Sequence, residues 1–178
     1  MALAKTPLFL CDEMLGKLCR WLRILGFESV FAGELHVQKG ASRKNQRGID
    51  DDLVLRQSLK LGAVLLTRDQ TLFRKARDYV KCALVSNSPL EKQVAFVVKK
   101  FGLKIASAPR EAFCPACGSE LRKIARNLVK NKVFPGVYER QKRFWRCCNK
   151  KCQLIFWQGS HWKEIEKTFE KIKSALEY

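Results

Sequence analysis

The sequence predicts an α/β fold: a mostly parallel sheet flanked by helices, then a small cysteine-bearing module and a closing helix. Three observations carry this. Short apolar runs without alternation, such as Ala63 to Leu66, read as strands buried on both faces, the kind found in parallel sheets. Stretches at helical spacing separate them, and strand-helix alternation implies right-handed crossovers. Beyond residue 109 the cysteines gather into two clusters, at 114–117 and 147–152.

In chain order, Leu8 to Cys11 is a short strand ending at Asp12-Glu13. From Met14 a helix is expected, with Leu15, Leu18, Leu22 and Leu25 on one side, Lys17, Arg20 and Arg23 on the other, and Gly26 as its stop. Acids in its first turn suit the helix dipole, which is one reading of Asp12. Phe27 to Ala32 suits a second strand, and residues 38–48 form a basic, glycine-bounded loop. Asp50-Asp51-Asp52 opens a helix through Val54, Leu55, Ser58, Leu59 and Leu61, closed by Gly62. One carboxylate suffices as a cap, and massing three costs energy unless a cation or solvent offsets it. The strand at 63–66 then stops at Thr67-Arg68-Asp69. Thr71 to Arg77 reads as a helix, Val80 to Ser86 as a strand, and Pro89 starts a helix whose apolar face is Leu90, Val94, Val97, Val98 and Phe101. The first domain is placed at about residues 1–108 and the second at 109–178.

Charge narrows the function. The net charge is +18, with +10 on residues 1–110 and +8 on residues 111–178. A uniformly basic globule attracts polyanions, nucleic acid first. No segment approaches the roughly 20 apolar residues of a membrane helix, and Asp12-Glu13 interrupts the only apolar run near the amino terminus. A reducing, cytoplasmic setting is therefore expected, where eight cysteines favour metal binding over disulfides. No serine or cysteine triad is supported by spacing. No phosphate-binding glycine loop is present either, so no dinucleotide cofactor is expected.

Asp12 and Asp69 each follow a strand, and strand carboxyl ends are where ligands sit in such sheets. They can converge if their strands are neighbours. The helix opened by Asp51 is expected to start at the opposite edge, so that Asp51 would need a tilted helix to join them. Clustered carboxylates in a basic protein suit Mg²⁺ or Mn²⁺, which take hard oxygen ligands and assist phosphoryl displacement.

Phe9 to Leu18, Arg20-Trp21-Leu22-Arg23 with Leu25-Gly26, and Leu65 to Asp69 together resemble the Mut-seven C-terminal RNase family, a PIN-like nuclease domain with a zinc ribbon. Phe144-Trp145-Arg146-Cys147 and Trp157 to Trp162 resemble its closing motifs. The resemblance implies a catalytic acidic site of Asp12, Asp51 and Asp69 that holds Mg or Mn, and ribonuclease activity. A fourth acid common in PIN nucleases has no clear counterpart; Asn87 and Asp78 are weak substitutes. Arg20, Arg23 and Arg68 flank the acids in sequence and suit a clamp on RNA phosphate, the alternative being ion pairs with those same carboxylates.

Cys114-Pro115-Ala116-Cys117 with the group at 147–152 is a tetrahedral zinc signature, because thiolates are soft ligands and four close the site. Spacing leaves Cys147 and Cys148 both open as third ligand; the resemblance selects Cys147, giving Cys114, Cys117, Cys147 and Cys152 around a structural Zn. Cys11, Cys19 and Cys82 sit in apolar patterns and read as buried thiols. Between the clusters, basic residues including Arg143 alternate with aromatics, a pattern suited to RNA phosphates and unpaired bases. Ile165, Phe169, Ile172 and Leu176 line one side of the last helix, which is expected to dock the ribbon on the first domain. The reading is a metal-dependent ribonuclease or RNA-processing factor, with a non-catalytic RNA- or ribosome-binding module as the alternative.

Overall fold

The computed structural model describes residues 6–35, 50–106 and 113–177. The basic loop at 38–48 and most of the expected domain boundary lie outside the described residues.

Four parallel strands form the main sheet: β1 (Phe9–Cys11), β2 (Ser29–Phe31), β3 (Val64–Thr67) and β4 (Cys82–Leu84), in the order β2-β1-β3-β4. The chain winds outward from β1 to β2, then returns to β3 on the other side of β1. That reversal places a topological switch point between β1 and β3.

Side-chain alternation along these short strands feeds two cores. Phe9, Cys11, Val64 and Leu66 point to a face covered by helices α1 (Gly16–Ile24) and α5 (Leu90–Lys100). Leu10 and Leu65 point to the other face, under α3 (Asp51–Leu61) and α4 (Gln70–Ala76), with the short α2 (Ala32–Leu35) beside them. Both faces are buried, which is why the strands read as continuous apolar runs.

Only Gly62 and Ala63 separate α3 from β3. Gly62 takes φ +58° and donates to Leu59 O and Ser58 O, so the chain reverses there without the steric cost a side chain would meet. A helix that turns straight into the next strand runs antiparallel to it. The start of α3 therefore lies at the carboxyl edge of the sheet, on the same side as Asp12 and Asp69. The sequence-based expectation of the opposite edge is corrected: a crossover helix descends before the strand ascends.

The carboxyl-terminal part holds a three-stranded antiparallel sheet, β5 (Leu121–Ile124), β6 (Phe144–Cys147) and β7 (Ile155–Phe156), in the order β5-β6-β7. Between β5 and β6 lies α6 (Pro135–Arg140), which the sequence pattern did not suggest. The last helix, α7 (Ser160–Glu177), buries Phe169 and Ile172 in the same core as Val94, Val97 and Val98 of α5. This helix belongs to the main α/β core as much as to the ribbon. Among the described residues, no helix is long and apolar enough to cross a membrane.

Candidate active site and metal centre

The carboxyl ends of β1 and β3 are joined by one hydroxyl. Thr67, fully buried at the end of β3, donates its Oγ1 hydrogen to Asp12 Oδ2 at 2.8 Å and accepts from Asp69 N at 2.9 Å. Asp12 Oδ1 accepts from Glu13 N at 2.6 Å, which opens the 3₁₀ turn leading into α1. Asp69 caps α4, its Oδ1 accepting from Thr71 N at 2.6 Å and Leu72 N at 3.0 Å. The cap does not use Oδ2 of Asp69, and each oxygen of Asp12, with one hydrogen bond apiece, keeps a further lone pair. Thr67 is the residue that reading the sequence missed; its signal was the polar Thr-x-Asp ending an otherwise apolar strand.

The three consecutive aspartates at the start of α3 have different partners. Asp50 is the N-cap, accepting from Asp52 N at 3.1 Å. Asp52 pairs with Lys75 of α4. Asp51 has its carboxyl pushed above the usual range, first by partial burial and then by the charges of Asp69 and Asp12, with Lys75 acting the other way. Three carboxylates from three separated segments therefore share one electrostatic environment at the switch point. They stand more openly than the cysteines do: among the described residues, only the cysteines form a group of three or more acidic, histidine or thiol ligands within 4.8 Å of one another. Carboxylate oxygens are the hard donor type that Mg²⁺ and Mn²⁺ take.

Neither substitute for a fourth acid completes the set. Asn87, exposed, follows β4 at the carboxyl edge, while Asp78 precedes β4 at the opposite edge and pairs with Arg77.

The four arginines singled out from the sequence separate sharply. Arg68 is half-buried between Thr67 and Asp69 at the carboxyl edge. Arg20 is exposed on α1 and lines a groove against the ribbon and α7, with Trp145, Trp157 and Trp162. Arg143 is exposed just before β6. Arg23 is buried: its Nε donates to Ser29 O at 3.0 Å, Nη1 and Nη2 to Glu34 at 3.1 and 3.0 Å, and Nη1 also to Pro115 O at 3.2 Å. The expected RNA contact at Arg23 is corrected, because its guanidinium faces inward and binds the first cysteine knuckle to β2 and α2. Packing there is close. A Cβ added to Gly118, at φ +75°, would meet Ser29 O at 2.7 Å and Arg23 Nε at 3.0 Å.

Cys114, Cys117, Cys147 and Cys152 bring their sulfurs within 4.8 Å of one another. Cys114 to Cys152 is 3.8 Å and Cys117 to Cys147 is 3.4 Å. Tetrahedral zinc at Zn–S of about 2.3 Å puts its sulfurs about 3.8 Å apart, so this donor set fits zinc. Two ligands come from the turn at 114–118, where Gly118 N donates to Cys114 O at 2.8 Å, and two from the end of β6 and the turn after it. Burial raises the Cys114 thiol to about 11. At Cys117 burial pulls the same way, but hydrogen bonds from Ser119, Cys147 and Cys152 outweigh it and bring the thiol to about 7. Cys148 is exposed and outside the group, so it is Cys147 that joins the other three sulfurs. Cys11 and Cys19 are buried and Cys82 is half-buried.

No curated protein and no solved structure matches the chain. A family model does, described as the Mut7-C RNAse domain and matched over residues 7–169. That span takes in both strand-end aspartates, the start of α3, both cysteine clusters and most of α7, and the chain belongs to the Mut7-C RNAse domain family.

Proposed function

We propose that this chain is a divalent-metal-dependent ribonuclease whose catalytic groups are Asp12, Asp51 and Asp69. The observation that carries the reading is the Thr67 hydroxyl linking Asp12 to Asp69 across the β1–β3 switch point, with the charges of both helping to raise the Asp51 carboxyl. Those three carboxylates would hold Mg²⁺ or Mn²⁺. When bound, such an ion neutralises charge developing on a phosphate and lowers the pKa of a coordinated water. Thr67 fixes the direction of the Asp12 carboxylate, and the α4 cap fixes that of Asp69, so the remaining lone pairs are preorganised. Arg68 stands beside them, where a guanidinium can meet the scissile phosphate with two parallel hydrogen bonds. Arg20 and Arg143 would hold RNA farther along the surface. Zinc at the four cysteines leaves no open coordination position, so its work is to fold the ribbon.

One observation favours a second reading, a non-catalytic RNA- or ribosome-binding module: the carboxyl end of β4 offers Asn87 rather than a fourth acid. Cleavage of a labelled unpaired RNA in Mn²⁺ separates the two. The ribonuclease reading expects cutting by the wild type and loss with Asp69→Asn and Asp51→Asn at unchanged RNA affinity. A zinc-loaded wild type that binds RNA and never cuts it establishes the binding module instead.

A further inference from the structure

The ribbon carries a concave, single-signed surface. Pairing of β5 with β6 sets Arg122 directly opposite Arg146. Like charges facing each other across an antiparallel ladder are destabilising, and here both side chains are exposed. Lys150 joins them around a hollow of about 500 Å³ floored by Ile124 and Leu128. Among the described residues, no aspartate or glutamate lines it. Glu120 pairs with Arg122 at 3.3 Å, an exposed pair that solvent screens. Three cations around this concavity focus a positive field, and that field concentrates anions.

We propose that this hollow binds the phosphodiester backbone of RNA, with Arg122 and Arg146 as its principal contacts. Guanidinium groups suit phosphate because their donors form a planar fork. The identity of the polyanion rests on the ribonuclease reading; the presence of an anion site does not. The opposite face of the ribbon sheet, with Leu121, Trp145 and Phe156, turns toward α1 and α7. A strand seated in the hollow therefore lies on the outer side of the ribbon, and a cleavable RNA must be long enough to continue from there to the acids.

The test uses the zinc-loaded full chain and a labelled unpaired RNA of about 15 nucleotides, without Mn²⁺, at about 50 to 200 mM salt. Each phosphate contact to a single strand contributes about 0.7 to the slope of log affinity against log salt. The Arg122→Ala/Arg146→Ala double variant is expected to lose about 1.4 of that slope and to bind at least about 10-fold more weakly. A Lys60→Ala/Lys99→Ala control, equal in charge removed, is expected to stay within about 2-fold of wild type. A second readout needs no variant: Cys148 is exposed and lines the hollow, so RNA should slow its alkylation in the wild type. An unchanged slope, a loss no larger than the control's, or alkylation of Cys148 that RNA does not slow overturns the proposal. Binding through this hollow by a protein that never cuts RNA sinks the ribonuclease reading alone. Cutting by a protein whose double variant binds normally sinks the hollow alone.

Discussion

Replacing Thr67 by valine removes one hydroxyl and keeps the shape. That hydroxyl is fully buried, donates to a carboxylate at 2.8 Å and accepts from a backbone amide at 2.9 Å. A hydrogen bond to a charged group contributes about 1.5–3 kcal/mol, and leaving the Asp69 amide without its partner adds about 1 kcal/mol. Asp12 is nearly buried, so water replaces little of the loss. Allowing for the apolar gain of a methyl over a hydroxyl, the net cost is about 2–4 kcal/mol. For a chain of this size that lowers the melting temperature by about 5–15 °C. Thr67→Ser keeps both hydrogen bonds and loses one methyl, costing about 1 kcal/mol. Activity should divide the pair more strongly than stability does. Freed from Thr67, the Asp12 carboxylate can turn, and misplacement by about 1 Å costs about 100-fold in rate. The measurements are thermal melts followed by circular dichroism and Mn²⁺-dependent cleavage of a labelled RNA, with serine retaining activity within a few-fold. A valine variant that melts and cuts like wild type would refute the claim that this hydroxyl organises the acidic edge.

Asp51→Asn should raise the melting temperature of the metal-free protein at neutral pH. The Asp51 carboxyl sits above its ordinary range in the fold, so its ionised form opposes folding above that raised pKa, and the penalty fades as pH falls through it. The stabilisation should accordingly shrink toward about pH 4. Mn²⁺ should stabilise the wild type more than this variant; equal shifts would argue against Asp51 as a ligand. Arg23→Ala is expected to cost about 2–4 kcal/mol, somewhat below the range for breaking a fully buried pair because Glu34 is 34% exposed. It should also speed zinc loss to a chelator, since Pro115 O loses its donor. An Arg23→Ala protein of normal stability and zinc retention but weakened RNA affinity would restore the surface-contact reading. Cys147→Ser should drop zinc content well below one per chain while Cys148→Ser leaves it unchanged, as read by metal analysis of the purified variants.

What could be read from the sequence tracks what local chemistry determines. The buried strands were legible because Phe9-Leu10-Cys11 and Val64-Leu65-Leu66 feed two cores and admit no polar residue on either side. The cysteine ligands were legible because thiolate spacing is a short-range property, although the choice between Cys147 and Cys148 rested on the resemblance. The roles of Asp50, Asp51 and Asp52 were not separable. Three identical side chains in a row differ only in what faces them, and that depends on Lys75 in α4 and on Asp69 beyond β3. Arg20 and Arg23 failed to separate for the same reason. They share the polar stripe of α1, but the Arg23 side is covered by Glu34 and the carbonyls of Ser29 and Pro115, a surface assembled from residues 6 to 92 positions away.

Those same contacts make α1 more than a spacer. Asp12 and Glu13 lead into its amino end, and Arg23 near its carboxyl end holds the first cysteine knuckle. Nine helical residues at about 1.5 Å each form a strut of about 13 Å, stiff over that length. Its two ends are pinned by unrelated chemistry, a hydroxyl-carboxylate network on one and a guanidinium bridge to a metal knuckle on the other. Opening of the cysteine knuckle would loosen the Pro115 contact and, through α1, the seat of Asp12. On this argument the ribbon is joined to the acidic edge mechanically as well as by chain.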